Sequence, residues 1–281
     1  MIKIISDSTC DLSKELLERY HVEILPLHIH LGEDEYEDSV NITPDEIYQW
    51  SDANKTTPKT SAPSLTEAMN VFKPHVEASD EIICFSISSS MSASNNVMRL
   101  AAEELEAEEK IHVIDSANLS TGIGLLIIEA AVMAEQGMEG KAIVAAIEEL
   151  KPRVRASFVV ESLTYLHRGG RCNAVAALAG GVLQLHPRIE VADGKMDAGK
   201  KYRGKMKSVI QSYVKDMEAD MKQAKKDRVF LTHSGCTQEI LDAIKGYLEE
   251  LQVFDEILVT RAGGVISSHC GPGTLGVLFI Q

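Results

Sequence analysis

The sequence predicts an α/β protein of two domains, and three observations carry that expectation. Strand-like apolar runs alternate with helix-length amphipathic segments over the first half of the chain, the pattern of a parallel sheet covered by helices on both faces. Around "KPRVRA" the alternation restarts. A length of 281 residues also suits two cores better than one. We therefore expect a mostly parallel N-terminal α/β domain over residues 1–152, a C-terminal mixed α/β domain over 153–281, and a cleft between them of the kind where ligand sites commonly lie.

The elements follow in order. "IKIIS" reads as a strand ending at the polar loop "DSTCD", and Ser13 caps a helix with Leu16, Leu17 and Tyr20 at helical spacing. "VEILPLHIHLG" alternates as one strand, with His28 and His30 on a shared face. An H-x-H pair can bind a metal, but no third ligand stands at a recognisable spacing, so the pair reads as a half-exposed strand face and no metal is expected. "NITPDEIYQW" opens a helix with Thr43 as N-cap, Pro44 at the first position and Glu46 closing a capping box. Ser64 and Glu67 repeat the arrangement. The strand "EIICFSIS" runs into "SSMSASNN" and a helix over about 95–108; the strand "IHVIDS" leads through "LSTGIG" into the apolar helix "LLIIEAAVMAEQG", and another helix covers about 140–151.

In the second half, "SFVVES" is a strand, "LTYLHRGGRCN" a basic loop and "AVAALAGGVLQL" a small-residue helix over 174–185. "RIEVADGKMDAGKK" reads as a hairpin turning at Asp193-Gly194. A helix over about 204–224, the strand "RVFLTHSG", the helix "TQEILDAIKGYLEEL" and the strands "EILVTRAG" and "LGVLFI" complete it. Ligands of such sheets sit at the carboxyl ends of strands, where the loops "SDSTCD", "SISSSMS" and "VIDSANLS" fall.

Charge narrows the function. A net charge of −14 argues against nucleic acid, whose capture needs an excess of Lys and Arg, and means that an anionic ligand must be held by local donors. No apolar run has the length of a membrane span, and "MIKIISDS" is too short and polar for a signal peptide; contact with a membrane is limited to a transient one at its surface. The five cysteines form no C-x-x-C, so a reducing cytoplasm fits.

Neither a G-x-x-x-x-G-K-[ST] loop nor a G-x-G-x-x-G after a strand is present, so no nucleotide site is expected. "VISSHCGPGTLGVLF" places His269 beside Cys270, which offers a cysteine-dependent small-molecule hydrolase as one reading. Neighbours on a strand or turn point apart, however, and Cys270 then reads as a packing residue. The other reading is anion capture. Thr60, Ser61, Ser64, Ser88 to Ser90, Ser92 and Ser94 crowd two segments that precede helices, where hydroxyls and N-terminal N–H groups can hold a carboxylate or phosphate; the same residues can equally be caps and turns. His269 can add a donor. His233 reads as structural. Arg168, Arg171, Arg188, Lys200, Lys201, Arg203, Lys205 and Lys207 form either a solvated face or a docking rim for an anionic group or acidic partner.

Taken in order, "SDSTCDL", "ILPLHI", "YEDSVNITPDEIY", "TSAPS", "ISSSMSAS", "VIDSANLSTGIG", "ESLTYLHRGGR", "EVADGKM", "KYRGK", "THSGC" and "SHCGPGTLGV" resemble the DegV family of bacterial fatty acid-binding proteins over essentially the whole chain. The serine loop departs from the family, with "MSASNN" where a glycine and a tyrosine are common. The resemblance implies a carrier rather than an enzyme, without a cofactor, that buries a long-chain fatty acid between its domains. It implies presentation of the carboxylate to a separate ATP-dependent fatty acid kinase, and storage of the acyl phosphate for phospholipid synthesis. Carried over by motif, Thr60, Ser61, Ser92 and His269 would contact the carboxylate, and Arg171 and Arg203 would sit at the pocket mouth or face the kinase.

Overall fold

A computed structural model of the chain describes residues 1–172 and 185–281. The helix expected over 174–185 falls on residues outside that set, except for Leu185.

The N-terminal domain begins with β1 (Ile2–Asp7), a 3₁₀ turn (Ser8–Cys10), α1 (Lys14–Arg19) and β2 (Val22–Leu25). It continues through β3 (His28–Leu31), β4 (Asp34–Glu37), α2 (Pro44–Asn54), β5 (Lys59–Ser61), α3 (Leu65–Glu77), β6 (Glu81–Ser86), α4 (Ser94–Glu104) and β7 (Ile111–Asp115). Four strands form a wholly parallel sheet in the order β2-β1-β6-β7. The expected single strand over "VEILPLHIHLG" is two strands in different sheets, because Pro26 has no N–H to continue a ladder. Beyond it, β3 joins a small antiparallel sheet, β4-β3-β5. Both expected capping boxes form: Thr43 with Glu46, and Ser64 with Glu67.

Next come α5 (Thr121–Glu135) and α6 (Gly140–Leu150), then β8 (Val154–Val159), α7 (Thr164–Gly169), β9 (Leu185–Ala192) and β10 (Lys195–Arg203). The chain ends through α8 (Met206–Asp216), α9 (Glu218–Met221), β11 (Arg228–Ser234), α10 (Gln238–Leu251), β12 (Glu256–Arg261), α11 (Gly264–Cys270) and β13 (Thr274–Ile280). Six strands make a mixed sheet, β10-β9-β8-β13-β11-β12, in which only β11 and β12 run parallel. The expected hairpin forms, with positive φ at both Asp193 (49°) and Gly194 (75°) as a two-residue turn of this kind needs. The helix expected over about 204–224 is broken at Met217.

Two helices decide where a ligand can go. α5 is buried from Thr121 through Ala131 and apolar there apart from Thr121 and Glu129, as a helix must largely be when it has no solvent face. It packs on β1 and β6 below and on β8 and β13 above, so both sheets share one core. Burying Ile123, Leu125, Leu126, Ile127 and Ile128 completely contributes on the order of 10 kcal/mol gross. α11 follows β12 in the chain, yet it leaves its own sheet to pack on α2, α7, β3, β5 and the Ser8–Cys10 turn. Gly264 permits this approach: a Cβ there would lie 2.5 Å from Ile29 Cδ1 and 2.9 Å from Asp38 Oδ1.

Candidate functional site between the domains

A cavity of about 210 Å³ lies where α11 meets β5 and the loop before α4. Its wall is mostly apolar, from Leu27, Ile87, Met91, Leu119, Met196 and Ile266, and its polar groups are few: Thr60, Ser61, Ser92, His269 and Arg171. Past Leu119, Ile266 and Cys270 a second space of about 30 Å³ continues toward Phe158, Gly276 and Leu278. Among the described residues, no Asp or Glu lines either space.

Strand pleating aims the polar groups. Thr60 and Ser61 are neighbours on β5 and so project to opposite faces. Thr60 Oγ1 lies 2.8 Å from His269 Nε2, whereas Ser61 Oγ lies 2.9 Å from Nε2 of His30 on β3. The threonine hydroxyl therefore belongs to the histidine across the cavity, and the Ser61 hydroxyl is held by His30. Ser92 Oγ lies 2.9 Å from Ser94 Oγ and accepts a bond from the Ser94 N–H at 3.3 Å, so it bonds the first residue of α4 and also borders the cavity. Its hydroxyl can serve a ligand with the valence that Ser94 leaves.

Burial and the nearby Arg171 charge hold the His269 imidazole down to about 4, leaving it neutral near pH 7. The ring keeps some accessible surface because it lines the cavity, but Nδ1 is buried and, among the described residues, has no hydrogen-bond partner. It faces Gly169, where a Cβ would come within 2.4 Å of it. Arg171 is exposed and donates to the Gly169 carbonyl at 2.7 Å. It is the one cation bordering the cavity among the described residues. Together these groups offer neutral hydrogen bonds at one end of an apolar space, with a positive charge at its edge.

Other residues singled out by sequence lie elsewhere. Ser64 caps α3; Ser88 donates to the Gly194 carbonyl at 2.6 Å and so docks the β9–β10 turn on the N-terminal domain. Arg203 is exposed at the end of β10 and does not line the cavity. His233 accepts the Cys236 N–H at 3.2 Å, which is a turn contact. His28 and His30 share a half-buried face, with His28 between Glu35 and Glu67 at 3.0 Å each. Lys200 and Lys207 pair with Asp216 and Glu239.

The hydrolase reading fails on geometry. The segment holding His269 and Cys270 is a helix, not a strand or turn, and consecutive helical side chains diverge by about 100°. The imidazole bonds Thr60, and burial pushes the Cys270 thiol far above its ordinary value, the opposite of what a thiolate nucleophile needs.

Sequence reasoning missed three buried carboxyls around the site. Asp11 accepts the Gly263 N–H at 2.8 Å and the Ser120 hydroxyl at 2.5 Å. Asp38 accepts the Gly264 N–H at 2.7 Å and the Ser8 hydroxyl at 2.8 Å. Asp7 accepts from Thr9 and from the Ile87 N–H at 2.8 Å. Desolvation is the main cause that raises all three, Asp7 to about 6 and Asp11 to about 8. The available signal is "RAGG" at the start of the helix Gly264–Cys270, a start with no side chain to cap itself.

Among the described residues, no helix is long and apolar enough to cross a membrane, and no group of His, Cys, Asp and Glu stands arranged to hold a metal ion.

Comparison with known proteins agrees with this architecture. A DegV domain-containing protein of Clostridium perfringens is 32% identical over 280 residues, covering 100% of this chain and 98% of the relative. The solved structure of a DegV family protein from Thermus thermophilus, described by its fatty acid binding, matches with a TM-score of 0.90 at 30% identity, over 100% and 99% of the two chains. A stearic acid-binding protein from Eubacterium ventriosum matches with a TM-score of 0.87 at 34% identity, over 100% and 98%. The family model described as "Uncharacterised protein, DegV family" matches residues 1–281, and the chain belongs to that family.

Proposed function

We propose that the protein carries one long-chain fatty acid, with the carboxylate at Thr60, Ser92 and His269 and the tail running toward Phe158 and Leu278. Ser61 completes the head-group wall, through its backbone while its hydroxyl serves His30. The observation that carries this reading is the neutral His269–Thr60 pair at the polar end of an apolar cavity. The fatty acid and stearic acid named for the Thermus and Eubacterium relatives support it.

Burying a C16 tail at about 0.8 kcal/mol per methylene supplies roughly 12 kcal/mol gross, much of it offset by ordering the tail and wall. The head group then needs only enough hydrogen bonds to cancel its desolvation. Both spaces are smaller than the roughly 300 Å³ at which small-molecule sites begin, so the tail must displace wall side chains. Met91 and Met196 are unbranched and suited to yielding.

Neutral donors leave a carboxylate oxygen free to attack a phosphoryl group. The protein is thus a cytoplasmic carrier that presents the acid to a separate fatty acid kinase, with Arg171 at the mouth beside the incoming phosphate and Arg203 on the kinase-facing surface. The domain boundary is assigned after residue 152, between α6 and β8.

Mass spectrometry of the protein purified under native conditions should show one bound acyl chain, and added fatty acid should raise Tm. A preparation with no lipid and no thermal shift rejects the reading. With a fatty acid kinase and ATP, the loaded protein should yield acyl phosphate, trapped as hydroxamate; no hydroxamate removes the kinase role alone.

A further inference from the structure

We propose that Asp11 and Asp38 are positioning residues for the head-group site: by holding the start of α11 they set where His269 stands relative to Thr60. The inference rests on the reading of His269 as a head-group donor.

The start of α11 is capped from outside. Its N-cap is Gly263, with no side chain, and the N–H groups of Gly263 and Gly264 are taken by carboxyls 252 and 226 residues earlier in the chain. Those carboxyls come from the two loops of the N-terminal domain that follow β1 and β4. Each is anchored at its other oxygen: Asp11 by Ser120 at the entry to α5, and Asp38 by Ser8, whose own oxygen accepts the Leu27 N–H at 3.1 Å. Four chain segments therefore converge on one helix end. The closeness depends on both glycines, since a Cβ on Gly263 would lie 3.2 Å from Asp11 Oδ1 and one on Gly264 2.9 Å from Asp38 Oδ1.

Stability alone does not account for this arrangement. Among the described residues, no Lys, Arg or His nitrogen lies within 4.0 Å of Asp7, Asp11 or Asp38. Three carboxyls without a cation are costly to bury, and a serine at 263 would cap the helix locally at less cost. What a local cap cannot do is fix the helix relative to the other domain. His269 stands five residues beyond Gly264, about 7.5 Å along the axis, so a helix released at its start carries the imidazole away from Thr60. Hydrogen-bond geometry tolerates only a few tenths of an ångström.

The test compares hexadecanoic acid with hexadecanol, which share a tail and differ in the head group, in the wild type, His269→Ala, Asp38→Ala and Asp38→Asn. The wild type should prefer the acid, and His269→Ala should abolish the preference. Asp38→Ala should weaken the acid about tenfold and the alcohol less than about twofold, and Asp38→Asn, which keeps an acceptor for Gly264, should restore most of the loss. Equal weakening of both ligands, or of neither, overturns the inference, because a merely structural residue does not distinguish head groups. If His269→Ala leaves the preference intact, the head-group reading itself is wrong and the inference goes with it. Should Asp38→Ala fail to fold, Ser8→Ala, which frees the second oxygen of Asp38 together with the Leu27 N–H, carries the same acid-against-alcohol comparison with an expected loss of about threefold for the acid.

Discussion

Thr60 Oγ1 and His269 Nε2 lie 2.8 Å apart across 209 residues of chain and across the two domains. The bond closes the polar end of the cavity and joins a strand of the small N-terminal sheet to a helix that enters from the C-terminal half. Thr60→Val keeps the shape and removes the hydroxyl. It should cost about 1 kcal/mol or less in unfolding free energy, but weaken fatty acid binding about tenfold, as read by denaturant melts and ligand titration on the same preparations. Equal affinity in the two proteins would remove Thr60 from the head-group site.

The imidazole sets one pH dependence. His269 is held down to about 4, mainly by burial and then by Arg171, below the ordinary value of about 6.5. The unfolded chain therefore takes up a proton first as pH falls. Stability from this group is complete above about 6.5 and declines toward pH 4. An NMR titration of the ligand-free protein should show no His269 transition between pH 5 and 8, and a bound carboxylate should move the transition upward.

The buried carboxyls act with the opposite sign. Asp7 near 6 and Asp11 near 8 lie above their unfolded values, so the folded protein holds protons that the unfolded chain has released. Their contribution is complete below about pH 4 and is lost as pH rises through about 6 and then 8. Asp11→Asn should flatten the alkaline side of a Tm profile recorded from pH 5 to 9 and gain on the wild type most at the upper end. A parallel profile would show that Asp11 is ionised throughout.

Much of the fold was legible because it rests on local rules. Both capping boxes, the Asp193-Gly194 turn and the strand–helix alternation each depend on a few adjacent residues. Pro26 shows the limit: alternation continues through it, but a missing N–H ends one sheet and lets the next begin. Thr60, Ser61, Ser92, His269 and Arg171 each stand in a motif that the sequence alone singles out, and all line one cavity. Arg203 does not. Asp11 and Asp38 were illegible because an acid that caps a helix more than 200 residues away leaves no spacing to read, and nothing local marks it off from the solvated acids of a chain with 42 of them.

α5 gives a stability prediction. Its Glu129 bonds Arg228 at 2.5 Å and Lys225 at 2.6 Å, with Glu129 and Arg228 both 10% exposed. Glu129→Ala leaves the arginine buried without its main partner and should destabilise by about 3 kcal/mol, measured by urea unfolding. Glu129→Gln should cost less. A loss below about 1 kcal/mol would mean that Arg228 finds water or Glu256, 4.0 Å away.

Cys270 should label slowly with iodoacetamide at neutral pH, since burial keeps its thiol protonated. Cys270→Ala should still bind lipid, with at most a modest change from the small volume removed. Rapid stoichiometric labelling would reopen a covalent role for the residue.

The position of α11 in the chain also bears on biosynthesis. At about 5–20 residues per second, the 209 residues between Thr60 and His269 take roughly 10–40 s to synthesise. Through that interval the strands and loops of the first domain exist with one wall of the cavity missing and with Asp11 and Asp38 open to water. A nascent chain can complete its first sheet early, but the polar end of the cavity is not closed until α11 has emerged. A ligand held by the Thr60–His269 end of the cavity would thus be loaded after translation of the second domain rather than during that of the first.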